Sequence, residues 1–217
     1  DLGILSSEPL LGDDLSRLFN ELSGYSTKHG YSRILVAPHS LRKSLIMRIN
    51  REKKNHLDGK PSWIRFKLNS LLDEEIIEAL YEAAEAGVKI EIIVRGICAM
   101  QFITQEHKDN IKIRSILGRF LEHSRIYYFR NDGAEEYYIG SADMMHRNLD
   151  RRVEALVSLE SPKHKETLKT ILDDSVSNLF SSWKMNDENK WIRSKVDSSG
   201  NKLPSFQDFY VEKYSRS

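Results

Sequence analysis

Cys98 is the single cysteine among the 217 residues, so the chain can close no internal disulfide and build no cysteine zinc cluster. A reducing compartment follows naturally. Five prolines and eleven glycines are too few for a collagen-like or low-complexity chain. No apolar run approaches the roughly 20 residues that a membrane-spanning helix needs. The opening DLGILSSEPLLGDD lacks the basic start and apolar stretch of a signal peptide, and it begins with Asp rather than Met. A processed protein, or a piece of something longer, is therefore expected. Net charge is almost absent too, with 33 Lys and Arg against 32 Asp and Glu. What remains is globular: 40% hydrophobic and 30% charged, long enough for one large domain or two small ones around a sizeable core.

The balanced charge is unevenly distributed. Residues 41–60 carry Arg42, Lys43, Arg48, Arg51, Lys53, Lys54 and Lys60 against only Glu52 and Asp58. Residues 71–91 carry Asp73, Glu74, Glu75, Glu78, Glu82, Glu85 and Glu91 against only Lys89. Both stretches read as helices, so two solvated helix faces are the plainer expectation and a polyanion track the alternative.

Strand and helix patterns alternate in the first half, which predicts a right-handed crossover and a parallel sheet. RILVAP (33–38) is a short apolar strand, followed by a helix that Ser40 caps and that runs to about residue 58, where Gly59 closes it. WIRFKL (63–68) alternates apolar and basic side chains, the pattern of a strand with one buried face. Asp73 caps the next helix, Gly87 stops it, and VKIEIIV (88–94) forms a third strand. Metal binding by Asp73, Glu74 and Glu75 is a weaker reading than capping. The second half offers strands at 111–116, 123–129, 136–140 and 152–159, with NDGAE as a hairpin turn between the second and third. A long helix is expected over 162–183 and a polar tail with a DSSGN turn over 184–217. An isolated helix precedes Arg33. The domain division read from this is a helical lead-in over 1–32, an α/β domain over 33–183 and the tail.

Chemistry concentrates in two segments. In FLEHSRIYYF, His123 and Arg125 would share one strand face, and an imidazole beside a guanidinium suits phosphate. In GSADMMHRNLDRRVE, Gly140 and Ser141 leave a strand where amides and a hydroxyl can approach an oxyanion, while Asp143, Asn148, Arg151 and Arg152 crowd the following loop. Self-capping of that turn explains Asp143 and Asn148 as well as function does. Arg95 ends the strand 88–94, and Lys67 and Asn69 end its neighbour. Ligands of parallel sheets gather at such carboxyl ends. His107-Lys108-Asp109 lacks the spacing that would put its His and Lys on one strand face. Cys98 reads as packing rather than as a nucleophile.

His-x-Arg followed by Gly-Ser resembles one half-site of the phospholipase D superfamily, with Arg125 where Lys is usual and Asp143 where Asn is usual. The longer matches, DLGIL, KLNSLLDEEIIEALYEAAEAGVKIEIIVRGIC, RSILGRFLEHSRIYYF and YIGSADMMHRNLDRRVE, resemble the last domain of the bacterial polyphosphate kinase family. The resemblance implies a phospholipase-D-like mixed α/β sheet flanked by helices, holding one half-site. It implies reversible transfer of the ATP γ-phosphate to inorganic polyphosphate through a phosphohistidine in an upstream domain, so this chain alone is expected to be inactive. By motif, Arg95 matches the family's ATP-contacting arginine and His123 its second active-site histidine. Arg125 would neutralise charge, and Lys67, Asn69 and Ser141 would line the ATP and polyphosphate site. ATP and Mg²⁺ are implied as cofactors, the magnesium ligands lying outside this chain. Implied partners are ATP or ADP, polyphosphate, the upstream domains and further copies in a homo-oligomer, with no nucleic acid, in a cytoplasmic enzyme that can sit peripherally at the inner membrane. The alternatives are a phosphodiesterase of the same superfamily, or a non-catalytic polyanion-binding module favoured by the basic helix.

Overall fold

The computed structural model describes residues 1–25 and 30–215. Residues 26–29 of the expected lead-in and 216–217 of the expected tail lie outside the described residues. Nine strands form one mixed sheet in the order β1-β7-β6-β5-β2-β3-β4-β8-β9. Its centre is parallel: β2 (Ile64–Leu68), β3 (Ile90–Val94) and β4 (Ile111–Ser115) run the same way. Antiparallel pairs extend it on one side through β5 (Ile126–Phe129), β6 (Glu136–Gly140), β7 (Glu154–Ser158) and β1 (Ile34–Ala37). On the other side lie β8 (Ser182–Met185) and β9 (Trp191–Ser194). The mixed, helix-flanked α/β sheet is the one read from the sequence, although β1 and β2 are separated by three antiparallel strands rather than paired.

Helices α1 (Pro9–Leu22) and α2 (Leu41–Leu57) precede β2, and α3 (Glu74–Glu85) and α4 (Gln105–Asn110) follow it. Ile64, Phe66 and Leu68 of β2 join α2 and α3 in the larger core. The opposite face packs under α6 (Pro162–Val176) and α7 (Phe206–Ser215), with Ile93, Ile126, Leu172 and Phe206 in a second core. Both sheet faces are therefore covered. This corrects the one-faced reading of β2, whose residues are all buried. Arg65, 2% exposed, is accommodated by Glu91 on β3 at 2.8 Å and Asp173 on α6 at 2.6 Å.

Capping follows the sequence at Asp73, whose carboxylate accepts from the Ile76 amide. Ser40 stands at the α2 N-cap, but its hydroxyl donates to the Val36 carbonyl instead of capping the helix. The turn between β5 and β6 uses left-handed backbone at Asn131, Asp132 and Gly133, as its composition suggests. The helix expected to reach residue 183 stops at Val176. There the buried guanidinium of Arg114 takes the Ser177 carbonyl and the Asn178 side chain, and Trp183 joins β8 opposite Ser115. α1 is tied to the start of β1 by Asp14, whose carboxylate accepts from the amides of Ser32, Arg33 and Ile34.

The segregated charges meet in space. α2 and α3 lie side by side, Arg42 reaching Asp73 at 2.9 Å and Lys53 reaching Glu82 at 3.0 Å. Arg42 also pairs with Asp150 of α5 (His146–Arg151), whose carboxyl the guanidinium's hydrogen bond pushes down to about 2. Arg48 and Arg51 fork onto Glu136 of β6, each at 2.7 Å. These four cations of the basic stretch are engaged with carboxylates of the same chain, Lys53 at the exposed surface and the three arginines partly buried, and they do not form a free track.

Candidate functional site

At the carboxyl edge of β2 and β3 the chain must turn while two backbones lie close. The Gly96 amide donates to the Asn69 carbonyl at 2.7 Å, and a Cβ at Gly96 would stand 2.9 Å from that oxygen. Arg95 and Asn69 are thereby fixed beside each other, with Arg95 Nε donating to Asn69 Oδ1 at 3.0 Å. Lys67, one pleat back from Asn69, is buried and donates to Glu122 at 2.5 Å. Glu122 is an anion at the place where the sequence points only to cations, and the signal for it was adjacency to His123.

Asp143 lies directly beneath. Its carboxylate accepts from the Asn69 amide at 2.7 Å and from Arg125 Nη2 at 2.9 Å. Burial would lower the affinity of Arg125 for its proton, but the hydrogen bond and charge of Asp143 raise it above its ordinary value. Tyr127 props this layer from below, its hydroxyl donating to the Ala142 carbonyl at 2.6 Å, and burial pushes its phenol well up so that it stays neutral.

β5 begins at Ile126, so His123 and Arg125 stand on the preceding loop and not on a common strand face. They remain neighbours by another route, because Arg125 Nη1 donates to the His123 carbonyl at 2.9 Å. The His123 amide donates to Asp1 Oδ1 at 2.6 Å, and its imidazole is half exposed. The six sequence-selected residues divide between two adjoining hollows. Lys67, Asn69 and Arg95 line one, a narrow cleft of only about 10 Å³, together with Glu122. His123, Arg125 and Ser141 line the other, a groove of about 370 Å³ that also touches Asp1 and Gly140. Ser124 lines both.

Gly140 has a different reason from the one the sequence suggested. A Cβ there would stand 1.9 Å from the carbonyl oxygen of Ala155, so glycine is required by the close approach of β7. Ser141 is likewise engaged with that strand, its Oγ accepting from the Ala155 amide at 3.3 Å. Asn148 is buried and donates to Glu154 at 2.6 Å, while Arg151 and Arg152 are exposed. His107 lies buried on α4, stacked on Tyr81 with ring centres 4.4 Å apart. Burial pushes the Cys98 thiol up, away from nucleophilic use.

A divalent cation needs free oxygen donors. The carboxylates nearest this edge, Asp143 and Glu122, are committed to Arg125 and Lys67. Among the described residues no group of three or more His, Cys, Asp or Glu side chains is arranged to hold a metal ion. The residues present do not fit a magnesium ion held by this chain.

A family model described as polyphosphate kinase C-terminal domain 2 matches residues 34–205. A polyphosphate kinase of Streptomyces coelicolor is 47% identical over 212 residues, 98% of this chain and 28% of that protein. One from Mycobacterium leprae is 43% identical over 218 residues, 99% of this chain and 29% of that protein. The crystal structure of polyphosphate kinase from Porphyromonas gingivalis superposes with a TM-score of 0.88 at 32% identity, covering 97% of this chain and 32% of that one. The chain thus spans less than a third of the length of these relatives. Among the described residues no helix is long and apolar enough to cross a membrane.

Proposed function

The chain belongs to the polyphosphate kinase family through its C-terminal domain 2, and from that membership we propose that it supplies one half of a phosphoryl-transfer site. It works within a longer, oligomeric polypeptide whose other domains hold the second half. The reaction is the reversible exchange of the γ-phosphoryl group between ATP and inorganic polyphosphate. A histidine on the other half accepts the group: the bond to the ADP oxygen breaks as a phosphorus–nitrogen bond forms. That bond breaks in turn as a terminal polyphosphate oxygen takes the phosphoryl group.

One observation carries the reading. Arg95 and Arg125 come from distant segments, yet both stand at the carboxyl edge of the sheet and are joined through Asn69 and Asp143 beside the exposed imidazole of His123. Arg95 would offer its terminal N–H groups to phosphoryl oxygens and Arg125 would offset their charge, while His123 would donate to the transferring or leaving oxygen. Phosphoryl transfer asks for little else, since its catalysis is mostly positioning and charge. Lys67 joins only by exchanging Glu122 for substrate, and Ser141 keeps a hydroxyl proton to donate. The basic helix that favoured a polyanion-binding module engages Arg42, Arg48 and Arg51 in partly buried pairs and Lys53 in a surface pair with Glu82.

His123→Ala in the complete kinase tests the proposal. We expect turnover to fall about 10²- to 10⁴-fold, the usual value of one positioned acid or donor. The melting temperature should hold, because the side chain is half exposed. A folded variant within a few-fold of normal turnover would overturn the assignment.

A further inference from the structure

Asp143 serves no step in that scheme, yet its carboxylate is bonded to a lining residue of each hollow, Asn69 of one and Arg125 of the other. It is buried, 6% exposed. Oδ1 accepts from the Asn69 amide at 2.7 Å, the Ser70 amide at 3.3 Å and Arg125 Nε at 3.3 Å. Oδ2 accepts from Arg125 Nη2 at 2.9 Å and Asn69 Nδ2 at 3.4 Å. Arg125 belongs to the groove with His123, and Asn69 to the hollow with Arg95.

An ionised carboxylate only accepts hydrogen bonds, and this decides how its neighbours face. The Asn69 side chain must turn its NH₂ toward Asp143, which leaves its carbonyl oxygen toward Arg95, where it receives Nε at 3.0 Å. Arg95 is then held by the inner edge of its guanidinium, and its terminal N–H groups are left for a ligand. On the other side the carboxylate takes both Nε and Nη2 of Arg125, fixing the plane of that guanidinium. An asparagine of the same size could still accept from the amides of residues 69 and 70. It would compel neither the direction of the Asn69 amide nor the plane of Arg125.

We infer that Asp143 is a positioning residue that aims both arginines at the phosphoryl group, Arg125 directly and Arg95 through the amide of Asn69. The inference rests on the kinase reading above and adds to it a residue that touches neither substrate nor product. Because Asp143 acts through the arginines, its loss should matter only while they are there to be aimed.

The test is a double-mutant cycle in the complete kinase, reading KM for polyphosphate, kcat and the thermal melt of Asp143→Asn, Arg125→Ala and the pair. Asp143→Asn should raise KM for polyphosphate roughly 10- to 100-fold, the worth of one charge-assisted hydrogen bond, with a smaller change in kcat. Combined with Arg125→Ala, it should add less than its own single effect, the remainder being the share carried by Arg95. Should Asp143→Asn not fold, the apolar pair Asp143→Leu with Arg125→Met removes both charges together. Buried pairs commonly tolerate such replacement. That protein should exceed the KM of Arg125→Ala alone by the share that Asp143 carries through Asn69 and Arg95, and an equal KM would overturn the inference. An Asp143→Asn enzyme with normal KM, or effects that multiply fully in the pair, would overturn the inference while leaving the kinase reading intact. Normal KM in both Arg125→Ala and Arg95→Ala would overturn the kinase reading itself, and the inference with it.

Discussion

A methyl group added at Gly140 would stand 1.9 Å from a backbone oxygen of β7, closer than any flexible neighbour could relieve. The alanine variant must therefore push β6 and β7 apart at the edge that carries Ser141 and Asp143. Overpacking of this kind costs about 1–3 kcal/mol. For a domain of this size Gly140→Ala should lower the melting temperature by roughly 2–12 °C. An unchanged melt would mean that the strands separate freely there. The same residue shows why motif reading is treacherous: a glycine before a serine suggests an oxyanion cradle, whereas the space is filled by the Ala155 carbonyl. Asp143 illustrates the opposite error. Its loop composition left capping and function equally plausible, because its partners at positions 69, 70 and 125 lie in loops remote from it in the chain and no local spacing announces them.

Apart from the missing Ser40 cap of α2, elements built from local signals agree with the sequence, and those decided by distant partners depart from it. The caps and stops of α3, the turn between β5 and β6 and the strand ends bearing Lys67, Asn69 and Arg95 all follow from neighbouring residues. The second buried face of β2 depends on Asp173, and the end of α6 on Arg114, each supplied by a remote part of the chain. The join of α2 to β6 is of this second kind, and it has a pH signature. Burial alone would raise the Glu136 carboxyl, but Arg51 and Arg48 more than offset this and hold it below its usual range. A carboxyl depressed in the fold contributes stability above its unfolded value, about 4.3, and that contribution is lost as pH falls through the folded value. Glu136→Gln should thus melt lower than the native chain at pH 7, and the two melting curves should converge as pH drops below about 4.3 and through the depressed value of the folded carboxyl. Glu52, raised mainly by its burial and in smaller part by the charge of Glu136, pulls the other way, and less so in the variant. A constant gap across that range would exclude the ion pair as the cause.

For the whole molecule the charge count at the site matters more than its number of cations. Of the three cations at the site, Lys67 is already paired with Glu122 and Arg125 with Asp143, which leaves Arg95, held by the neutral Asn69. Binding of polyphosphate by this 217-residue chain should accordingly release about one counterion, a logarithmic salt slope near 1 rather than 3. Titration between about 50 and 300 mM salt measures it, and a slope of three or more would show that the internal pairs open on binding. The pairing of α2 with α3 and β6 extends this economy across the surface, and its consequence is kinetic. With its cations already answered from within, the molecule casts little field to draw a polyanion in. Encounter should proceed at the unsteered rate, on the order of 10⁵–10⁶ M⁻¹s⁻¹. On the proposed function, a long phosphate chain would drift up to this face as though to a neutral one and would be recognised only after arrival, by the fit of two guanidinium forks.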